Sequence, residues 1–317
     1  MVIVNILLLV LGFVLLIKGA DFFVEGASST AQNFKVSKML IGLTIIAFGT
    51  SAPEFAVSMS ALAKGSTDMV LGNVIGSCVM NILLILGVAA VIHPIKIKDN
   101  TVRKELPLTM LISTLLAVLF LDIKLGNGSV NQITRGDAFV ILLFFSIFIY
   151  YLISLMKKKK ESNEKEEPKF KLGKSLLLVI IGLIGIIIGS NLVVNNATDI
   201  AHVLNLSERV IALTIIAFGT SLPELVTTIV SSKKGEQDLL VGNIIGSNIF
   251  NICVVLGIPV AIYGTITPGS FQMLDLIMLI VSAVLLFVFS KTVKEITRFE
   301  GIIMLAIFAV YYTIVFI

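Results

Sequence analysis

Apolar runs of about 17–25 residues, the length that crosses a bilayer as a helix, recur along the whole chain. They limit what it can fold into. Inside hydrocarbon every backbone N–H and C=O must be bonded within the protein, which leaves helices or a closed barrel, and runs of this length predict helices. Ten are read, centred near residues 12, 50, 80, 113, 146, 187, 220, 250, 281 and 308. Composition agrees, with 57% of the 317 residues hydrophobic and 14% charged. The expected fold class is an all-α polytopic membrane protein. No basic segment precedes the first run and no clear small-residue cleavage site follows it, so a retained helix is expected there rather than a signal peptide.

The charge is concentrated in one segment. Lys157 to Lys174 holds eight Lys and four Glu, net +4, which is the formal net charge of the whole chain. A basic pI of this origin describes a solvated linker and excludes nucleic-acid binding as its meaning. The linker is polar, expected to be flexible, and too short for a folded regulatory domain. It divides the chain into residues 1–156 and 175–317, with 157–174 between them and five apolar runs on either side. Because five is odd, equivalent runs cross in opposite directions, the inverted-repeat plan of many secondary transporters. Twenty Lys and Arg fall on the linker's side of the spans; only Lys64, Lys124, Arg135 and Arg209 fall on the other. By the positive-inside rule the linker is cytoplasmic and both termini are extracellular.

The two halves are copies. Ser37–Gly87 and Ser207–Gly257 align without a gap at an offset of 170, with 25 identities in 51 positions. The longest shared run is LTIIAFGTS, Leu43 to Ser51 and Leu213 to Ser221. Gly12 and Gly19 match Gly182 and Gly189 at the same offset. Each copy places a glutamate just past a proline, in GTSAPE (Gly49 to Glu54) and GTSLPE (Gly219 to Glu224). A carboxylate at that depth costs a few kcal/mol or more and is a functional candidate by default.

The motif predicts its own break. Pro53 has no N–H and its ring clashes with the carbonyl four residues back, at Gly49; Pro223 does the same to Gly219. The freed carbonyls join the hydroxyls of Thr50 and Ser51, or Thr220 and Ser221, and the carboxylates of Glu54 and Glu224. The next run of each half carries GNVIGSCVMN (Gly72 to Asn81) or GNIIGSNIFN (Gly242 to Asn251). There Ser77 and Asn81, and likewise Ser247 and Asn251, share a helix face. Gly72, Gly76 and Ser77, with Gly242, Gly246 and Ser247, are expected to let helices approach closely. Packing these runs against the broken ones makes an all-oxygen cage. Such a cage suits hard cations, Ca2+ more readily than Mg2+, which demands an octahedron. Protons or Na+ would compete for the same oxygens.

Other residues carry less. Cys78 and Cys253 lack metal spacing and are expected to pack. His93 and His202 fall near span ends, as interfacial polar residues. Asp275, near the start of the ninth run, has no strong counterpart or neighbouring motif and is expected to pair structurally or sit at the interface.

At the two glutamate motifs and their GN partners the chain resembles the cation/Ca2+ exchanger superfamily, and within it the microbial-type Na+/Ca2+ exchangers. The matches correspond to that family's two α-repeats, and the 5 + 5 arrangement covers essentially the full chain. The resemblance implies electrogenic exchange of several Na+ for one Ca2+ by alternating access, in a cell membrane, with no cofactor, no obligate protein partner and no enzymatic reaction. It implies Ca2+ coordination by Glu54 and Glu224 with Thr50 and Thr220. It implies Na+ sites at Ala47 (carbonyl), Thr50, Ser51, Glu54 and Ser77, and at Ala217 (carbonyl), Thr220, Ser221, Glu224 and Ser247, with Asn81 and Asn251 facing the centre. Asn251 stands where K+-dependent relatives carry Asp, which argues for K+ independence. The nearest alternative is a Ca2+/H+ or other divalent-cation antiporter. A cation channel, or a membrane enzyme using the glutamates as an acid–base pair, is a reading from another class, for which the chain offers no nucleophile or metal triad.

Overall fold

The computed structural model describes residues 2–126, 130–157, 167–203, 217–267 and 273–316. Besides a single turn at Asp122–Leu125, their helices are α1 (Val2–Asn33), α2 (Lys38–Thr50), α3 (Ala52–Ala63), α4 (Thr67–Ile92), α5 (101–119), α6 (Arg135–Lys157), α7 (Leu172–Val203), α8 (Ala217–Thr220), α9 (Leu222–Lys233), α10 (Gln237–Tyr263), α11 (Met273–Thr292) and α12 (Arg298–Phe316). Helical residues thus lie at the centre of every expected span. Among the described residues seven helices are long and apolar enough to cross a membrane, and α2 with α3 forms a further bent pair, 45° off straight. The α5 stretch opens with Arg103, Lys104 and Glu105, which interrupt its apolar character. Residues 204–216, including Arg209 and Leu213–Ile216 of the duplicated run, lie outside the described part, as do linker residues 158–166, on which the expected flexibility falls. The chain is an all-helical polytopic membrane protein; among the described residues a two-residue strand pair and an isolated bridge depart from a purely helical expectation.

The residues pack as two compact units that cut across the sequence repeat: residues 1–53 with 159–243, and residues 54–158 with 244–317.

In the first unit α1 and α7 lie along each other through a glycine seam. A Cβ on Gly19 would sit 2.8 Å from the Gly182 carbonyl oxygen, and one on Gly189 would sit 2.7 Å from that of Gly12. Each glycine of one copy therefore meets the other copy's partner, and backbone touches backbone as small residues permit in membranes. Leu16, Ala20, Phe23, Ile186 and Val193 fill the space beside the seam, whereas Ile3, Leu7, Val10 and Val14 on α1 are exposed, as expected of a face turned to lipid. Gly42 and Gly242 make a second close crossing, with Gly242 Cα 3.0 Å from a Cβ on Gly42. Polar bonds fasten one end of the unit: Asn33 Nδ2 donates to the Phe170 carbonyl at 2.8 Å, Lys169 pairs with Glu25, and Lys234 Nζ lies 3.3 Å from Asp21 Oδ1.

The second unit is stapled by its connections. Strand β1 (Ile95–Lys96) pairs antiparallel with β2 (Glu295–Ile296), and an isolated bridge joins Ile133 to Ile266. Helices α6 and α12 begin with matching capping boxes. The Thr134 and Thr297 N–H groups donate to Asp137 and Glu300 at 2.8 and 2.7 Å. Cys78 and Asn248, equivalent positions of the duplication, meet at 3.7 Å, the thiol donating to the carbonyl. Both cysteines are buried and free, as expected of packing residues, and His93 is exposed at the end of α4.

Two expectations are corrected. An added Cβ on Gly72 or Gly76 would meet nothing within 4 Å among the described residues, so they do not serve close approach there. Asp275 does pair structurally, accepting from Tyr311 Oη at 2.7 Å, yet it has a counterpart. Glu105, 170 residues earlier, accepts a hydrogen bond from Tyr151. The conservative Glu-for-Asp exchange, outside the aligned stretch, hid the match.

Candidate ion-binding site

Both breaks fold alike. Ser51 has φ −86° and ψ 6°, and Ser221 has φ −89° and ψ 4°, a bridge-region conformation between helical turns. Proline at the start of the following helix tolerates its missing N–H there, so α3 and α9 restart at once and carry Glu54 and Glu224 in their first turns. The glutamates are 1% and 0% exposed. Glycine at each break admits close neighbours: a Cβ on Gly49 would lie 3.1 Å from Phe23 and Leu183, and one on Gly219 would collide with Val194.

The first unit gathers one hydrogen-bonded group. Ser51 Oγ donates to Glu224 Oε1 at 3.0 Å, and Thr50 Oγ1 to Asn243 Oδ1 at 3.2 Å and to the Ile46 carbonyl at 3.1 Å. The Ala47 carbonyl accepts the Ser51 N–H at 3.0 Å and lies 3.5 Å from Thr50 Oγ1. Among the described residues Glu224 Oε2 and Ser221 Oγ have no hydrogen-bond partner. Ala217 begins α8 and Thr220 ends it, half-buried.

The second unit holds Glu54 with Ser77, Asn81, Ser247 and Asn251, all buried. Asn81 and Asn251 fall where α4 and α10 widen into π-helical turns, Met80–Leu86 and Asn251–Leu256, a distortion that recurs at functional sites. Neither amide has a hydrogen-bond partner among the described residues. A buried amide without one costs roughly 1–3 kcal/mol, and the cost recurs at equivalent positions of the duplication.

Three positioning residues escape a reading of the sequence. Asn73 Nδ2 donates to the Glu54 carbonyl at 3.0 Å and to Ser58 Oγ at 2.9 Å. Its equivalent Asn243 accepts from Thr50 instead. Both stand in the duplicated GN pair, which was the available signal. Ser190 Oγ donates to the Gly219 carbonyl at 3.0 Å, satisfying the oxygen that Pro223 frees. Position 20, its equivalent, is Ala, so no repeat marked it.

Chemically the candidates are two carboxylates among neutral hydroxyl, amide and carbonyl oxygens. Among the described residues no three His, Cys, Asp or Glu converge. Buried carboxylates on broken helices in a polytopic bundle suit a membrane transporter. The family described as "Sodium/calcium exchanger protein" matches residues 4–154 and 174–317, and the chain belongs to this family. It is 38% identical over 320 residues to CaxA of Alkalimonas amylolytica, covering 100% of this chain and 99% of that one. It is 32% identical over 352 residues to the sodium/calcium exchanger MaX1 of Methanosarcina acetivorans, covering 100% and 99%. A solved structure of the sodium-calcium exchanger NCX_Mj, soaked with 10 mM Na+ and zero Ca2+, superposes with a TM-score of 0.85 at 34% identity, covering 99% of this chain and 98% of that one.

Proposed function

We propose that this member of the family exchanges Na+ for Ca2+ by alternating access, electrogenically and without K+. The observation that carries the proposal is the duplicated buried glutamate at a proline break, Glu54 and Glu224. Together they supply a formal −2 that one Ca2+ neutralises, and oxygen donors around them accept irregular Ca2+ geometry. Thr50 and Thr220 complete the proposed Ca2+ ligands. The proposed Na+ ligands are Ala47, Thr50, Ser51, Glu54 and Ser77, with Ala217, Thr220, Ser221, Glu224 and Ser247; Asn81 and Asn251 face the centre. Asn251 is neutral, which supports K+ independence. Ten spans in two inverted repeats, residues 1–156 and 175–317, fit the duplication and the odd number of runs per half. The charge bias of the loops supports a cytoplasmic linker at 157–174 and extracellular termini.

Transport that moves net charge responds to voltage, by about 2.3 kcal/mol per elementary charge per 100 mV. A negative interior then favours Na+ entry with Ca2+ export. The test is uptake of radiolabelled Ca2+ into Na+-loaded proteoliposomes, with Na+, K+ and pH gradients varied separately. The proposal expects uptake that needs an outward Na+ gradient, ignores K+, and grows when the lumen is clamped positive, which drives the net outward movement of Na+ charge. Uptake driven by a proton gradient without Na+ would move the chain to Ca2+/H+ exchange.

A further inference from the structure

Resting on the exchanger reading and its orientation, we infer that α9 carries the cytoplasmic arm of the ion path, a polar track from Glu224 through Thr227, Thr228 and Ser231 that Lys38, Glu236 and Ser28 close at its end. All seven residues belong to the first packing unit.

The spacing comes first. Residues 224, 227, 228 and 231 occupy one face of a helix, over a length of about 10 Å. All four are buried, with Thr227 and Thr228 0% exposed. A threonine in a helix ordinarily turns its hydroxyl to the carbonyl four residues back. Thr30, Thr44, Thr50 and Thr109 do so, at 2.7, 2.7, 3.1 and 2.9 Å. Thr227 and Thr228 do not, and among the described residues neither Oγ1 has a hydrogen-bond partner. Two adjacent buried hydroxyls turned away from the helix's own carbonyls are costly to fold and supply oxygen to a cation that has shed water.

The equivalent face of α3 lacks such a track. It carries Glu54, then Val57, Ser58 and Ala61, and its one hydroxyl, Ser58 Oγ, is engaged by Asn73. The polar face therefore belongs to the copy whose helix runs from its glutamate toward the linker's side.

Beyond Ser231 the chain turns sharply. Gly235 has φ +70°, and the Glu236 N–H donates back to the Ser231 carbonyl at 2.9 Å. That turn sets Glu236 at the helix end, where it accepts from Ser28 Oγ at 2.8 Å and pairs with Lys38 Nζ at 3.0 Å, the two side chains being 25% and 18% exposed for Lys38 and Glu236. The pair thus stands between the buried track and solvent. With Lys38 in place the carboxylate is neutralised; with Lys38 withdrawn it draws a cation to or from the track.

The test uses the full-length protein in proteoliposomes. Ser231→Cys and Thr228→Cys are each treated from one face with a membrane-impermeant cationic methanethiosulfonate, and labelling is read by mass; the wild type, whose Cys78 and Cys253 are buried, sets the background. We expect labelling from the linker's face, about fivefold faster when Lys38→Gln removes the ion pair. We also expect Thr227→Val with Thr228→Val, near-isosteric changes, to lower the exchange rate at saturating Ca2+ severalfold while leaving the half-saturating Ca2+ concentration unchanged. Labelling only from the opposite face, no labelling even with Lys38→Gln, or a double valine variant that exchanges at the wild-type rate would each overturn the inference. Labelling does not depend on which ion drives uptake, so a failed Na+/Ca2+ reading stays distinguishable from a failed track.

Discussion

The two proline breaks share every element of sequence and backbone that defines them, yet they are held in different ways. At the second, Ser190 satisfies the freed Gly219 carbonyl, Glu224 accepts from Ser51, and a hydroxyl face follows along α9. At the first, Ala20 replaces the serine, Asn73 ties the Glu54 carbonyl to α4, and the helix continues apolar through Val57 and Ala61. The duplication fixes where helices break and where charge is buried. The unrepeated flanks decide what each break can exchange bonds with, so the inverted halves are built alike and are not interchangeable.

The largest expected effect tests what the copies have in common. Glu54→Gln and Glu224→Gln keep size and hydrogen bonding and remove charge. Loss of a metal's outer-shell partner already costs 10–100-fold, so each ligand change should lower Na+-driven Ca2+ uptake by at least about 100-fold. If one variant kept near-normal uptake, the two carboxylates would not share one ion.

Next come the prolines, where the copies should diverge. Alanine restores an N–H for the carbonyl four residues back and favours a straight helix, a preference worth about 3 kcal/mol in a helix interior. At the second break Ser190 already holds that carbonyl and resists straightening. Pro53→Ala should therefore slow exchange by about tenfold and Pro223→Ala by about threefold, as read from initial uptake rates. Equal losses would assign the support elsewhere. Ser190→Ala attacks the asymmetry directly. It leaves a buried carbonyl unbonded, at about 1–3 kcal/mol, and should lower the thermal midpoint in detergent, whereas the equivalent substitution Ala20→Gly removes no hydrogen bond.

Much of this was legible in the chain. Apolar runs located helices at every expected centre, and GTSAPE with GTSLPE located both breaks, because proline acts through local geometry that survives any packing. The glycine seam showed itself as Gly12 and Gly19 repeating at Gly182 and Gly189. What stayed hidden depends on who faces whom. Ser190 has no repeat to mark it, Gly72 and Gly76 look like packing glycines until their surroundings are seen, and Thr227 and Thr228 differ from other threonines only in where their hydroxyls turn. The partition of packing into units that cut across the repeat is a tertiary fact with no local signal.

The smallest effect sets the zero of the comparison, at a pair outside both breaks. Lys294 Nζ donates to Asp99 Oδ2 at 2.9 Å beside the β1–β2 ladder, and this bond holds the Asp99 carboxyl below its ordinary range, with Lys294 and Arg103 adding their positive charge. A depressed carboxyl contributes stability at pH values above the unfolded aspartate range, and the contribution fades as pH falls through the folded value. Both side chains are more than half exposed, at 59% and 55% for Lys294 and Asp99, and water and salt screen such a pair. Asp99→Asn should therefore leave uptake unchanged and barely move the thermal midpoint at neutral pH. The small difference from the wild type should vanish in acid, where wild-type Asp99 is protonated as well. A marked loss of exchange in this variant would mean that the ladder end of the second unit takes part in transport, and the two breaks alone would no longer account for the asymmetry.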